Sequence, residues 1–487
     1  MRKIPTALAV VLLIGVFAAN VYRARKQSFT ADEALTYNNY VSTPLRAALT
    51  DFDANNHMLN TLLEKASAAI FGVSEFTLRL PSLAGGGLYL TAVFLLCRRL
   101  FGDGPLLLMA VATLALNPFV LDFLSAARGY GMALGLFLWA LELVLRYLDE
   151  ARTERLFAAS IALALAVAAN LTLAFPGVAL VAAVAAMLAR RREWRTLVDG
   201  FLLPGFLLAF LLLAIPLSRA ERGSFYVGSP TLAGTVDSLV VMSLYHSSPS
   251  QSDPEPAILP LRLWLRITTL RLAPAVPAIS ALALALLLFR RRGLWSPEQR
   301  FAALTAATFV GSLLLAATAH IGLGFPYPIG RTGLYLIPLF SLACFGLLRL
   351  TARNRWAARI LLPAGAVFFS LCVFQFARQW NTTYYLEWLY DADTKQIIHL
   401  IDGLRDRTRS SVSVSATWPV VVTVDFYRRS QHLEWLDLKQ RQINKDPAEF
   451  YVLAADELDL AKQFDVVFRD DFAGVVLARA TAPPARP

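Results

Sequence analysis

The sequence predicts an α-helical polytopic membrane protein of about eleven transmembrane helices, followed by a small C-terminal α/β extracytoplasmic domain. Three observations carry that prediction. The 487 residues are 56% hydrophobic and only 17% charged, with a mean hydropathy of +0.52, well outside the range of soluble globular domains. Apolar runs approaching the roughly 20 residues that cross about 30 Å of hydrocarbon recur, joined by short basic connectors. Beyond about residue 378 the long runs stop, and short alternating stretches take over.

The runs fall near residues 4–22, 80–97, 105–123, 130–148, 156–169, 172–189, 198–216, 272–289, 302–319, 333–348 and 360–377. The first follows Arg2 and Lys3 and resembles a signal peptide, with Val16 to Ala18 as a candidate cleavage site. A retained helix fits better, because the alternation of the later runs works with it in place. With the N-terminus inside, the inner loops collect Arg98, Arg99, Arg146, Arg190–Arg192, Arg290–Arg292 and Arg355, among others. The short outer connectors hold only Arg128 and Arg331, a strong positive-inside bias. Arg23, Arg25 and Lys26 are a local exception. This distribution explains the net charge of +11 as a topology signal, so nucleic acid is not an expected partner. Cys97, Cys344 and Cys372 sit singly in apolar runs, where cysteine behaves as a small hydrophobe, and imply neither disulfides nor zinc.

The expected division is a membrane domain over 1–377 and a small α/β domain over 378–487. Within the first, the outer loop 23–79 contains "ADEALTYNNYVSTPLRAALTDF" and "HMLNTLLEKASAAIF", which read as two amphipathic surface helices. A second outer segment, roughly 218–271, contains the turn-rich "SSPSQSDPEP". In the tail, "DADTKQIIHLIDGLRDR" is helical, "SSVSVSA", "EFYVLA", "FDVVF" and "GVVLAR" read as strands, and "TAPPARP" reads as disordered. A tail of this length is large enough to fold alone.

Four clusters can carry chemistry. Asp32 and Glu33, just past the first run, can serve as general base and partner, or can simply favour the dipole of a helix that starts at Thr30. Asp51, Asp53 and His57 in "TDFDANNHMLN" are candidate ligands for a divalent metal, or an ordinary turn and cap. Asp122, Arg128 and Tyr130 lie at the outer end of the third and fourth runs; His320, Tyr327 and Arg331 lie at the outer end of the ninth and tenth. An outer Arg that breaks the charge bias either snorkels to headgroups or presents its planar fork to phosphate oxygens. Two such arginines and an acidic pair on one face suggest a lipid-linked phosphate and a reaction on what it carries. With no phosphate loop on the inner side, no nucleotide is expected.

The fragments "FTADEALTYNN", "NNHMLNTLL", "RLPSLAGG", "SAARGYGMAL" and "RTGLYLIPLF", in this order and topology, resemble the polyprenol-dependent GT-C glycosyltransferases, in particular the protein O-mannosyltransferase and lipid A aminoarabinose transferase branch. The resemblance covers residues 1 to about 377. It implies a multi-pass enzyme of the bacterial cytoplasmic membrane, N-terminus cytoplasmic, that moves a sugar from a polyprenyl phosphate donor to a protein, lipid or glycan acceptor outside. It maps Asp32 onto the catalytic carboxylate and Glu33 onto its partner, sets Arg128, with Tyr130 nearby, and Arg331, with Tyr327 nearby, at the donor phosphate, and puts His57 near the acceptor or a metal. Many members carry an acid two residues before the first Arg, where this chain has Ala126, leaving Asp122 or Asp53 as candidates for a second carboxylate. Two alternatives stand against the enzyme: a transporter or flippase of a lipid-linked saccharide, which would need ionisable groups near the bilayer midplane, and a non-catalytic scaffold.

Overall fold

The computed structural model describes residues 3–53, 55–221, 227–244, 260–289, 295–352, 354–439 and 447–481. "SSPSQSDPEP", Arg290–Arg292 and most of "TAPPARP" lie outside them. In chain order the helices are α1 (Ile4–Lys26), α2 (Ala31–Thr36), α3 (Leu45–Thr50), α4 (Met58–Phe71), α5 (Glu75–Phe101), α6 (Pro105–Ala115), α7 (Pro118–Phe123), α8 (Tyr130–Glu150), α9 (Thr153–Ala169), α10 (Ala174–Arg190), α11 (Trp194–Leu197), α12 (Leu203–Ser218), α13 (Leu232–Ser243), α14 (Pro260–Phe289), α15 (Pro297–Leu323), α16 (Leu336–Thr351), α17 (Arg355–Arg378), α18 (Thr394–Leu404) and α19 (Val420–Ser430). Among the described residues, nine helical stretches are long and apolar enough to cross a membrane by length and composition. The chain is a multi-pass membrane protein.

All eleven expected runs are helical, but two are short. Residues 105–123 break into α6 and α7 because Pro118 disfavours helix at the preceding Asn117. The Asn117 side chain then caps α7, its Oδ1 accepting from Val120 N–H at 3.2 Å. The run at 156–169 is the 17-residue α9. The first outer loop likewise departs from two helices. Pro44 stops the first one, so α2, a wide turn over Tyr37–Val41 and α3 replace it.

The membrane core is one continuous apolar cluster contributed mainly by α5, α6, α8, α15 and α16. α5 and α8 press backbone to backbone, and a Cβ at Gly85 would overlap Met132. At the end of the bundle remote from α2, Arg99 and Arg146 pair with Glu142 at 3.0 and 2.8 Å, and Arg300 with Asp149 at 3.0 Å. Arg99, Arg146 and Arg300, from three of the expected inner connectors, thus meet in one acidic–basic cluster.

At the other end sits a five-stranded sheet, in which β1 (Val412–Ala416), β2 (Leu436–Lys439), β3 (Phe450–Ala454), β4 (Asp465–Asp470) and β5 (Val475–Arg479) are ordered β2-β1-β3-β5-β4. β1 pairs parallel to β2 and β3, and β5 runs antiparallel between β3 and β4. β2, "LDLK", is a strand that sequence pattern missed. The tail does not keep its core to itself. Phe29, Ala34, Tyr37 and Leu78 join Ile397, Val422 and Phe426 in a single buried cluster, with the Phe29 and Phe426 rings stacked 4.0 Å apart. Lys395 adds an ion pair to Glu75 at 2.8 Å.

Candidate active site

The site grows from the start of α2. Thr30 Oγ1 accepts from Glu33 N–H at 3.4 Å while Thr30 N–H donates to Glu33 Oε2 at 2.8 Å, a capping box. Successive helical side chains diverge by about 100°, so the two acids face different ways. Glu33 points into the bundle, where Arg79 of α5 grips it bidentately at 2.8 and 2.7 Å. Ala127 N–H also donates to its Oε1. Arg79 donates further to the carbonyls of Ala24, Gln27 and Ser28 at 3.2, 2.9 and 2.7 Å. Both side chains are 0% exposed. Glu33 thus ties α2, α5 and the approach to α8 together, a bracing role rather than the reactive one expected for it.

Asp32 turns instead to Arg331. Its carboxylate pairs with Arg331 and is 14% exposed, with Arg331 at 22%, enough for a small group to reach. Burial alone would raise its pKa, but the Arg331 and Arg128 guanidinium groups and a hydrogen bond from Trp388 hold it below the ordinary carboxylate range. Arg331 comes from the 3₁₀ turn Gly330–Gly333 that precedes α16. That turn is fixed by Ile329 N–H to Thr332 Oγ1 at 2.8 Å and Gly330 N–H to Ser238 Oγ at 3.1 Å. The same guanidinium reaches Glu387 Oε1 at 3.1 Å and lies over the Trp388 ring at 5.9 Å.

Arg128 is beside them but buried. Nη1 donates to the Asp32 carbonyl at 3.2 Å and to Thr36 Oγ1 at 2.9 Å, and Nη2 to Asn55 Oδ1 at 3.0 Å. These acceptors are uncharged, so its positive charge projects into the site. Gly129 makes the placement feasible: a Cβ there would run into the Ala169 carbonyl and come within 2.9 Å of His57 Cβ. The Tyr130 ring packs between His57, 5.2 Å away edge-on, and Phe123, 4.7 Å away. Burial, then the charges of Arg128 and Arg331, push the His57 pKa well down, so it is neutral at pH 7. Its Nε2 is buried with no partner.

Other expected residues go elsewhere. Tyr327 bridges to Ser229 by backbone bonds of 2.8 and 2.9 Å and stacks on His320 at 4.3 Å, beside rather than within the acidic–basic cluster. Asp122 pairs with buried Arg23, which accounts for one of the three cations that broke the charge bias, and it accepts from Leu386 N–H at 3.0 Å. Asp53 accepts from Tyr40 Oη at 3.1 Å and Asn55 N–H at 3.0 Å, and Asp51 pairs with Arg219 at 3.5 Å. Neither Asp122 nor Asp53 joins Asp32. The second carboxylate at the cluster is Glu387, from the tail. Asp51 and Asp53 have separate partners, His57 packs against Tyr130, and no group of three His, Cys, Asp or Glu able to hold a metal ion occurs among the described residues. The donor set does not fit a metal.

On the membrane side, an apolar cavity of about 590 Å³ is lined by α6, α13, α14, α15, α16 and α17 residues, among them Leu239, Pro274, Leu313, Ile337 and Phe368. It begins along the first turn of α16, just past Arg331. The cavity is large enough for a lipid chain segment.

No family model matches the sequence, and no curated protein does. Solved structures do show likeness. ArnT from Cupriavidus metallidurans in the apo state is 15% identical, with 96% of this chain and 97% of that chain covered at a TM-score of 0.45. The same protein bound to undecaprenyl phosphate is 15% identical, with 98% and 99% covered at 0.42. The archaeal oligosaccharyltransferase AglB from Archaeoglobus fulgidus, in complex with an inhibitory peptide and a dolichol-phosphate, is 12% identical, with 98% and 75% covered at 0.39. At such scores these are likenesses alone.

Proposed function

We propose that this protein is a membrane glycosyltransferase of the GT-C type, moving a sugar from a polyprenyl phosphate donor to an acceptor at the outer face of the cytoplasmic membrane. The observation that carries the reading is the partly exposed Asp32–Arg331 pair, with Arg331 on the turn that leads into α16, whose first residues, Leu336 and Ile337, line an apolar cavity. The ordered sequence fragments that resemble polyprenol-dependent enzymes support it independently.

In this scheme the polyprenyl chain occupies the cavity and its phosphate meets Arg331, whose guanidinium offers two oxygens' worth of hydrogen bonds. Arg128 contributes charge from behind and fixes the Asp32 backbone. While Arg331 is paired with it, Asp32 is a weak base. Once the phosphate draws the guanidinium away, the carboxylate loses its strongest stabilising neighbour and its proton affinity rises. Asp32 then accepts the proton of the acceptor hydroxyl or amine as that atom attacks the anomeric carbon from the face opposite the phosphate. The bond from carbon to phosphate oxygen breaks, its electron pair stays on the phosphate, and Arg331 stabilises the charge that develops there. One base and one cation suffice for an inverting single displacement. The activated glycosyl phosphate supplies the driving force, so no nucleotide is required.

The test is transfer from a polyprenyl-phosphate sugar by purified protein in liposomes. Asp32→Asn should lose roughly 10²- to 10⁴-fold in rate with the thermal midpoint unchanged. Undiminished transfer by Asp32→Asn would remove the proposed base.

A further inference from the structure

We infer that Glu387, carried by the tail, is a positioning residue of the donor site: it competes with the donor's phosphate for Arg331 and so makes donor binding depend on pH. The inference rests on the donor reading above.

Arg331 bridges two carboxylates from different parts of the chain, and the two are unequal. Asp32 is held by Arg331, by the charge of Arg128 and by a Trp388 hydrogen bond. Glu387 touches Arg331 through Oε1 alone at 3.1 Å, and its Oε2 is buried without a partner. A carboxylate with one unsatisfied oxygen is the weaker half of the bridge, and it is the half an incoming phosphate displaces first, before Asp32 in turn is released. Glu387 cannot drift away to settle elsewhere. On its N-terminal side Leu386 N–H is fixed to Asp122 at 3.0 Å, and on its C-terminal side Asp391 accepts from Ala31 N–H at 2.7 Å and Thr423 Oγ1 at 2.9 Å. The tail therefore presents this carboxylate at a set place.

The groups facing Glu387 are the cations Arg331 and Arg128 and the anions Asp32 and Asp122, with the Tyr130 and Tyr390 phenols nearby. Burial raises the Glu387 pKa, and the charges of Asp32 and Asp122 add to this; Arg331 and Arg128 offset only part of it. On acidification Glu387 takes a proton before Asp32 does, and Arg331 loses the weaker of its two anions. A phosphate then binds more tightly as pH falls.

The probe is methyl farnesyl phosphate, a phosphodiester whose single charge does not titrate in this range, measured by calorimetry on the full-length protein in detergent between about pH 5 and pH 8. Wild type should bind more tightly at the acid end. Glu387→Gln should bind about threefold to fivefold more tightly than wild type at pH 8, the factor for a partly exposed ion pair of up to about 1 kcal/mol, and should show no pH dependence. Glu387→Asp, which keeps the charge at a longer reach, should fall between them and keep the slope. Equal affinities for wild type and Glu387→Gln at pH 8, or weaker binding by a Glu387→Gln protein of unchanged thermal midpoint, overturn the inference and leave the donor reading standing. No binding by either protein at any pH overturns both.

Discussion

Replacing Glu33 by Gln separates the two halves of the acidic pair. The substitution leaves Arg79 as a buried guanidinium whose remaining acceptors, three backbone carbonyls and the Gln oxygen, are all uncharged. Breaking a buried ion pair by removing one partner costs about 3–5 kcal/mol. The Gln oxygen retains one acceptor, which puts the loss near the lower end. With unfolding entropy of about 2.1 cal/mol/K per residue, a 487-residue chain unfolding as one unit loses about 1 kcal/mol per degree, so the thermal midpoint should fall by about 3 °C. Arg79→Met should fall as far, and Glu33→Gln combined with Arg79→Met should fall by less than the sum, because the second change removes the stranded charge. Tryptophan fluorescence of the detergent-solubilised protein during heating measures this. Asp32→Asn in the same assay should leave the midpoint within about a degree, since its carboxylate is partly exposed. A Glu33→Gln protein with an unchanged midpoint and abolished transfer would refute the reasoning and return Glu33 to the chemistry.

Further outcomes follow from the same geometry. Gly129→Ala should destabilise by about 1–3 kcal/mol through overpacking against Ala169 and His57 and should slow transfer by displacing Arg128, measurable by midpoint and rate together. Arg331→Ala should raise the donor KM far more than the acceptor KM; equal effects on both would count against its place at the phosphate. Burial raises the Asp391 pKa from 3.8 to about 8, although hydrogen bonds from Ala31 and Thr423 oppose the shift. The folded protein therefore binds this proton more readily than the unfolded chain, and stability from this group is full at acid pH and declines from about pH 4 to pH 8. Asp391→Asn should flatten that decline in midpoint-versus-pH curves, and an unaltered curve would contradict it.

Much of the architecture is legible in the sequence because a membrane span is a long-range average of hydropathy and a loop arginine is a local mark. The positions of α1, α5, α8, α10, α12, α15, α16 and α17 follow from these directly. What escapes is whatever depends on a partner far along the chain. Arg79 looks like one more loop cation until Glu33 is seen beside it, 46 residues away. Glu387 and Trp388 lie in "LEWLYD", whose dense aromatic and acidic character is a signal, but nothing local indicates that it reaches Arg331. The same holds for Arg23, whose apparent breach of the charge bias is resolved by Asp122, 99 residues on. The tail's pattern of strands was readable; its shared core with the first outer loop was not, because Phe29 and Phe426 each read as an ordinary apolar residue in its own segment. The helix-start role of the acidic pair is visible as the mundane alternative; at Glu33 the structure combines a capping box with a buried ion pair that no spacing rule predicts.

The central claim is that Arg331 receives the phosphate of a lipid carrier and thereby releases Asp32. Phosphorus NMR of polyprenyl phosphate titrated with wild-type protein and with Arg331→Ala addresses it directly. A shifted, broadened resonance is expected with wild type, and Arg331→Ala should fail to produce it at the same concentration. An identical shift with both proteins would contradict it.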